Sequence, residues 1–279
     1  MDSLNDVRKS WDCFAEERPY WAVLTTSDWT EKDPFYKSGQ NDVDEILREA
    51  KSCGIEISQG KAIDFGCGLG RLTYPLCGYF DEVLALDISA RMIERAKHHE
   101  KCPKNAVFQV LQTSDLKLVS SNSYDFILSL IVLQHMPKRF MKAYIQEFAR
   151  VCKPGGTIVF QVPVHRDKIE TPKDTLWKDK PLLSGNPRLP RLCYRCIFRS
   201  ARWTIRTIRR KLWSNEIKYR LECAWMRMTG KTIMQMNTLS HKEINRLLKS
   251  CSCEAVHKRQ DERGGDGYTS YLYFITKKS

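Results

Sequence analysis

Between residues 62 and 162 the chain alternates short apolar runs with amphipathic stretches, and this alternation limits the possible folds more than any other feature. Strands are predicted at 62–65, 83–86, 106–111, 125–130 and 157–162. Helices at 71–79, 90–100 and 139–152 fall between them. The last is closed by Pro154-Gly155-Gly156, a stop-and-turn signal. A helix over 41–53, with Val43, Ile46 and Leu47 on one side, precedes the first strand. Repeated strand–helix units imply a parallel sheet covered on both faces. After Pro163 the pattern breaks. It resumes with a helix over 240–250, where Ser240 and Glu243 form a capping box, and strand-like runs at 254–259 and 268–276. The expected architecture is α/β: a doubly wound, mostly parallel seven-stranded sheet with a helical insertion before the last helix and a C-terminal hairpin. The expected divisions are an aromatic helical lead-in over 1–40, a core over 41–165, a Pro-rich and basic insertion over 166–239, and a helix and hairpin over 240–279 that complete the sheet.

With 42% hydrophobic and 28% charged residues the chain can bury a core, which argues against disorder as its main state. The longest apolar stretch, 126–136, is interrupted by Ser129, Gln134 and His135 and falls short of a membrane span. No apolar leader follows the first residues, so a cytoplasmic location is expected. Eleven cysteines, an odd number at irregular spacing, fit reduced thiols. Cys193, Cys196, Cys251 and Cys253 could form a four-thiolate zinc site. However, no turn frames either pair, and Cys193 and Cys196 fall inside a predicted helix. No metal is expected.

The formal charge of +13 is concentrated: residues 188–220 carry eleven Lys/Arg and one acid, a net of +10. Arg191, Arg195, Arg199, Arg202, Arg206 and Arg209 fall on one helical stripe, with Ile197, Ala201, Ile205 and Ile208 on another face. A basic amphipathic helix over 190–213 is expected. It would pack on its own domain, lie on an anionic membrane surface, making the protein peripheral there, or track nucleic acid.

The segment Asp64-Phe65-Gly66-Cys67-Gly68-Leu69-Gly70 follows an apolar strand and opens a helix, where glycines let a backbone approach a ligand closely. Asp87 stands 21 residues after Gly66, at the end of the next strand, where a carboxylate can accept both hydroxyls of a ribose. A nicotinamide dehydrogenase uses the same logic, but its third glycine comes one residue later. Here Arg71 occupies that position and would crowd a pyrophosphate.

The Asp-x-Gly-x-Gly-x-Gly pattern resembles motif I of the class I S-adenosylmethionine-dependent methyltransferases, which have a Rossmann-like fold. Asp87-Ile88-Ser89 with Met92, Ser114-Asp115-Leu116, Ser123-Tyr124-Asp125-Phe126-Ile127, Leu133-Gln134-His135-Met136 and the run from Arg150 to Gly156 resemble later motifs in the same order. The resemblance implies S-adenosyl-L-methionine as cofactor. Gly66, Cys67 and Gly68 would line its methionine part, with Gly70 closing the turn and Asp64 bracing the loop. Asp87 would hold the ribose, and Ile88 and Met92 would pack on the adenine. Asp115 and the Leu116 N–H would meet the adenine edge. Ser129 and Leu130 would face the methionine end, and Gln40 is a weaker match for its carboxylate.

Methyl transfer from a sulfonium is an in-line displacement, so the protein mainly aligns the reactants. A hydroxyl acceptor also needs a base, for which His135 is the candidate, with Gln134 beside it. Met234-Gln235-Met236-Asn237 is placed to approach the acceptor; relatives often have a histidine where Asn237 stands. An Asn/Asp-Pro-Pro-aromatic run, the mark of DNA amino-methylation, is missing after the fourth strand. The leading expectation is O-methylation of a small or glycan-like hydroxylated acceptor. The alternatives are an RNA or other nucleic-acid methyltransferase and a non-catalytic cofactor-binding partner subunit. The sequence does not give the oligomeric state.

Overall fold

The computed structural model describes residues 3–24, 32–167, 234–265 and 267–278. The predicted basic helix over 190–213, Cys193 and Cys196 lie outside the described residues. The elements are α1 (Leu4–Glu17), α2 (Pro19–Val23), α3 (Lys32–Ser52), β1 (Lys61–Phe65), α4 (Thr73–Leu76), β2 (Glu82–Asp87), α5 (Ala90–Lys97), β3 (Ala106–Val110), β4 (Tyr124–Ser129), α6 (Lys138–Val151), β5 (Cys152–Arg166), α7 (His241–Ser250), β6 (Cys253–Asp261) and β7 (Tyr268–Lys277). They build one seven-stranded sheet in the order β3-β2-β1-β4-β5-β7-β6. β3, β2, β1, β4 and β5 pair in parallel, and β7 alone runs against its neighbours.

Side chains alternate across each central strand, and both faces are apolar because helices cover both. Ile63, Leu84, Leu86, Ile127, Ile158, Phe160, Tyr273 and Ile275 point to one face, where Ile145 and Phe148 of α6 and Ile244 and Leu248 of α7 meet them. Ala62, Val83, Phe126, Leu128, Val159, Leu272 and Phe274 point to the other, against Val43, Ile46 and Ala50 of α3 and Leu76 of α4. The strand order reverses between β1 and β4. In such sheets the carboxyl ends at the reversal open a crevice. Among the described residues no helix is long and apolar enough to cross a membrane.

The predicted strands all appear, and Ser240 caps α7 in the expected capping box. Three boundary differences bear on the site. Helix α3 begins at Lys32, nine residues before the expected start, and carries Phe35 and Gly39 within it. Phe35 is fully buried against Tyr20. A Cβ at Gly39 would sit 1.9 Å from the Arg71 carbonyl oxygen, so glycine there permits a helix to cross closely and does not mark a loop. Helix α4 keeps only four residues of the predicted 71–79. Arg71 and Leu72 belong instead to the turn that closes the glycine segment, and Asn105 Nδ2 donates to the Cys77 and Phe80 carbonyls beyond the helix. Strand β5 runs to Arg166, past the expected end at 162, because β7 pairs with it along its whole outer half.

Candidate active site

A cleft enclosing about 850 Å³, its mouth included, opens at the carboxyl ends of β1, β2 and β4. Of the residues singled out from the sequence, Gly66, Cys67, Gly68, Asp87, Ile88, Met92, Leu130 and His135 line it. Asp64, Gly70, Asp115, Leu116, Ser129 and Gln134 do not.

The glycine segment is fixed by its own hydrogen bonds. The Gly66 and Cys67 N–H groups both donate to the Leu86 carbonyl, at 2.7 and 3.0 Å, and the Gly70 N–H donates to the Cys67 carbonyl at 2.9 Å. Gly68 N–H donates to Asp87 Oδ2 at 2.9 Å. These donors are spent inside the protein, so the segment does not offer the ring of free N–H groups that a helix start suggests, and α4 is too short to add one. What it offers is close approach. Gly66 has φ +80° and lies against Val132, whose Cγ2 would be 2.2 Å from an added Cβ. Gly70, with φ +82°, lies under the Tyr74 ring.

Asp87 is buried and holds both ends of the turn around it: Oδ2 takes Gly68 N–H and Oδ1 takes Ser89 N–H at 2.8 Å. Burial raises its pKa to about 6 against the pull of these two donors. A carboxylate has about four lone-pair sites, so two remain for a diol. Asp64 is fully buried. Its Oδ2 accepts from Thr73 Oγ1 at 2.6 Å, its Oδ1 has no partner, and burial pushes its pKa up to about 7. Ser129 Oγ is likewise buried without a partner.

Arg71, which the sequence marks only as an obstacle to a dinucleotide, lines the cleft with its guanidinium buried. It pairs with Asp42 at 2.6 Å and reaches Ser38 Oγ at 3.3 Å, while its Nε has no partner. Gln40, the weaker carboxylate candidate, instead donates to Asp44 at 2.6 Å. Nothing in spacing alone could have shown that Arg71 folds inward, because the turn that aims it is set by α3 crossing at Gly39.

The adenine-edge candidates sit apart from the cleft. Asp115 is engaged by Thr113 Oγ1 at 2.9 Å and Lys117 at 2.9 Å, and these contacts hold its carboxyl below the ordinary value. The Leu116 N–H donates to Glu147 Oε2 at 2.7 Å. With that donor used, the role the resemblance implies for Leu116 is not available in this conformation.

Helix α1 lies along the cleft through Leu4, Val7 and Trp11. Arg8 donates to the Leu111 and Gln112 carbonyls at 3.2 and 3.1 Å, and Ser89 Oγ donates to Asp12 at 2.6 Å. Trp11 meets the His135 ring edge-on, with centroids 5.3 Å apart. The aromatic lead-in is thus part of the site, which the sequence did not reveal because the contacts span about a hundred residues.

His135 sits in a single 3-10 turn, Leu133–His135, after β4. Its Nδ1 lies 2.8 Å from the Gln235 carbonyl oxygen, and burial lowers its pKa to about 4. The neighbouring Gln134 carbonyl accepts from the Asn237 N–H at 2.7 Å. The segment 234–237 therefore does reach the cleft's rim, through backbone groups. Gln134 is buried outside the lining, and its side-chain Oε1 has no partner. His241 bonds Tyr273 and His257 bonds Glu49, both away from the cleft. Among the described residues no group of three His, Cys, Asp or Glu side chains could hold a metal.

S-adenosylmethionine joins a zwitterionic amino acid to a nucleoside through a sulfonium. The cleft's lining fits these parts: Arg71, with its Nε unpartnered, and the Gly66–Gly68 backbone near one end, and Asp87 with lone pairs to spare beside Ile88 and Met92.

Residues 63–160 match the family model described as a methyltransferase domain. The chain is 31% identical over 105 residues to the tRNA N(3)-methylcytidine methyltransferase trm141 of Schizosaccharomyces pombe, a match covering 36% of this chain and 42% of that one. It is 26% identical over 108 residues to a ubiquinone biosynthesis O-methyltransferase of Xanthomonas oryzae, covering 38% and 44%. The chain spans about half the length of the curated relatives it matches. Among solved structures, magnesium protoporphyrin IX methyltransferase from Synechocystis with bound SAH aligns over 99% of this chain and 100% of its own, with TM-score 0.56 and 14% identity. The PH0226 protein of Pyrococcus horikoshii aligns over 93% and 98%, with TM-score 0.55 and 18% identity. At these identities the structures share the fold. The methyltransferase-domain match over residues 63–160 and the motif order support a class I S-adenosylmethionine-dependent methyltransferase domain with S-adenosylmethionine as its cofactor.

Proposed function

We propose that the protein methylates a hydroxyl oxygen of a small, hydroxylated, glycan-like acceptor, with His135 as the base. The observation that carries this reading is the state of His135. A carbonyl oxygen can only accept, so the 2.8 Å contact with Gln235 requires the proton on Nδ1. The neutral ring then keeps its lone pair on Nε2, and the ring lines the cleft. A base must be uncharged with a free lone pair, and the buried ring with its Nδ1 turned to a carbonyl supports this reading.

The cofactor supplies an activated methyl group on its sulfonium. The protein supplies alignment. Asp87 would hold the ribose, Arg71 the amino-acid end with Asp64 bracing the loop behind it, and Gly66, Cys67, Gly68 and Leu130 the walls between them. With a pKa near 4, His135 is a weak base. It therefore takes the hydroxyl proton as the C–O bond forms, not before. Trp11 and Val132 add apolar surface to the same cleft.

A second reading, methylation of RNA, is favoured by the tRNA methyltransferase relative and by the +10 segment at 188–220. That segment would equally let the protein sit at an anionic membrane surface. The test is transfer of labelled methyl from S-adenosylmethionine to fractionated cell extract. Label in the hydroxylated small-molecule or glycan fraction, lost in His135→Gln while S-adenosylhomocysteine still binds, supports the proposal. Label in RNA overturns it in favour of the second reading. Cofactor binding with no labelled product in any fraction points to a non-catalytic partner subunit.

A further inference from the structure

Strand β4 stops pairing with β5 at Ser129, which lies opposite Phe160. Two residues later, Ile131 has φ +60°. A β-branched residue in the left-handed region is an outlier with a real energetic cost, and it persists only where surrounding groups over-determine it. Ile131 lines the cleft. The turn it makes lays Val132 against the bare Cα of Gly66, which joins the loop after β4 to the loop after β1.

One buried side chain holds this turn. Gln161 is the residue of β5 just beyond the last pairing with β4, and it is fully buried. Its Oε1 accepts the Ile131 N–H at 3.1 Å, taking over from the backbone ladder where that ladder ends. Its Nε2 donates to Ser270 Oγ at 2.8 Å, and Ser270 on β7 is also buried. Gly264 closes the far side so tightly that a Cβ there would meet Ser270 Oγ at 1.7 Å. The amide of Gln161 is therefore fixed from behind before it reaches Ile131. A buried amide in an otherwise apolar sheet is costly unless its bonds are made; here one bond anchors it to Ser270 and the other reaches the cleft wall at Ile131.

We propose that Gln161 is a positioning residue for cofactor binding: from β5 it holds Ile131 in the left-handed conformation that sets Val132 against Gly66 and so shapes the wall between the two loops. The inference rests on the cofactor assignment of the cleft. It requires no contact between Gln161 and the ligand.

The test is a double-mutant cycle on the full-length protein. S-adenosylhomocysteine affinity is read by calorimetry and exchange of the Ile131 amide by NMR. Gln161→Met keeps the volume and removes both hydrogen bonds. It should weaken binding about tenfold and speed Ile131 exchange, with a melting temperature showing the protein still folded. Gln161→Glu keeps an acceptor for Ile131 N–H, and the Ser270 hydroxyl can turn to donate; this variant should bind within about threefold of wild type. Glycine adopts positive φ without cost. In an Ile131→Gly background, Gln161→Met should therefore cost less than about threefold. The same loss in both backgrounds, equal losses for the Met and Glu variants, or an unchanged affinity in Gln161→Met would each overturn the proposal. Wild-type protein that fails to bind S-adenosylhomocysteine would overturn the cofactor assignment itself, a result distinct from these.

Discussion

Replacing Gly66 by alanine tests whether the cleft depends on close backbone approach. Two costs can be worked from the structure. Gly66 has φ +80°, and a left-handed conformation costs an L-residue about 1–2 kcal/mol. The new Cβ would also lie 2.2, 2.6 and 2.9 Å from Cγ2, Cγ1 and Cβ of Val132. All three atoms belong to one β-branched side chain with little χ1 freedom, so a rotamer change cannot clear them. Overpacking of this kind costs about 1–3 kcal/mol. Gly66→Ala should therefore destabilise by about 2–5 kcal/mol, read as a lower urea midpoint at unchanged slope. Val132→Ala removes both Cγ atoms and relieves most of the steric part, leaving the Cβ at 2.9 Å and the backbone part. The double variant should then be more stable than the two single losses predict, by at least about 1 kcal/mol. S-adenosylhomocysteine affinity should fall in Gly66→Ala and partly return in the double variant. A Gly66→Ala protein within about 0.5 kcal/mol of wild type, or strictly additive losses, would refute the close-approach argument.

Asp87→Ala removes the acceptor for both the Gly68 and Ser89 N–H groups and should weaken S-adenosylhomocysteine binding at least tenfold by calorimetry; equal affinity would remove Asp87 from the site. Arg71→Lys keeps a charge for Asp42 but loses the unpartnered Nε. It should weaken S-adenosylhomocysteine more than 5′-methylthioadenosine, which lacks the amino-acid end, and equal losses would exclude that contact. Asp64 and His135 give opposite pH slopes. Burial raises Asp64 from 3.8 to about 7. Its contribution is therefore fully present below about pH 4 and is lost as pH rises through 7, by about 4 kcal/mol at about 1.4 kcal/mol per pKa unit. Burial lowers His135 from 6.5 to about 4, so its contribution is present above about pH 6.5 and is lost as pH falls toward 4, by about 3 kcal/mol. The two slopes oppose each other between about pH 4 and 7, so urea unfolding should show a stability loss with falling pH exposed in Asp64→Asn and a loss with rising pH exposed in His135→Gln; slopes unchanged from wild type would refute the assignments.

The sequence by itself determined the sheet, the order of its elements and the residues at the strand ends. Period-two apolar runs and helical periods are local signals, and the glycine segment and Asp87 sit at fixed offsets from those runs. The capping box at Ser240 is also local, four residues long, and it appears as predicted. The extent of α3 was not legible, because Gly39 reads as a breaker until Arg71 is seen packed against it. Arg71, Trp11, Ile131 and Gln161 were not legible as site residues for the same reason. Each owes its place to a partner far along the chain: Arg71 to Asp42, Trp11 to His135, and Ile131 to Gln161 and through it to Ser270. The spent N–H groups of Gly66, Cys67 and Gly68 belong to the same class, since their acceptors lie on β2. Local propensity writes elements and their ends into the sequence. Which buried polar atoms are satisfied, and which are left facing a cleft, is decided only when strands and helices distant in sequence close on one another.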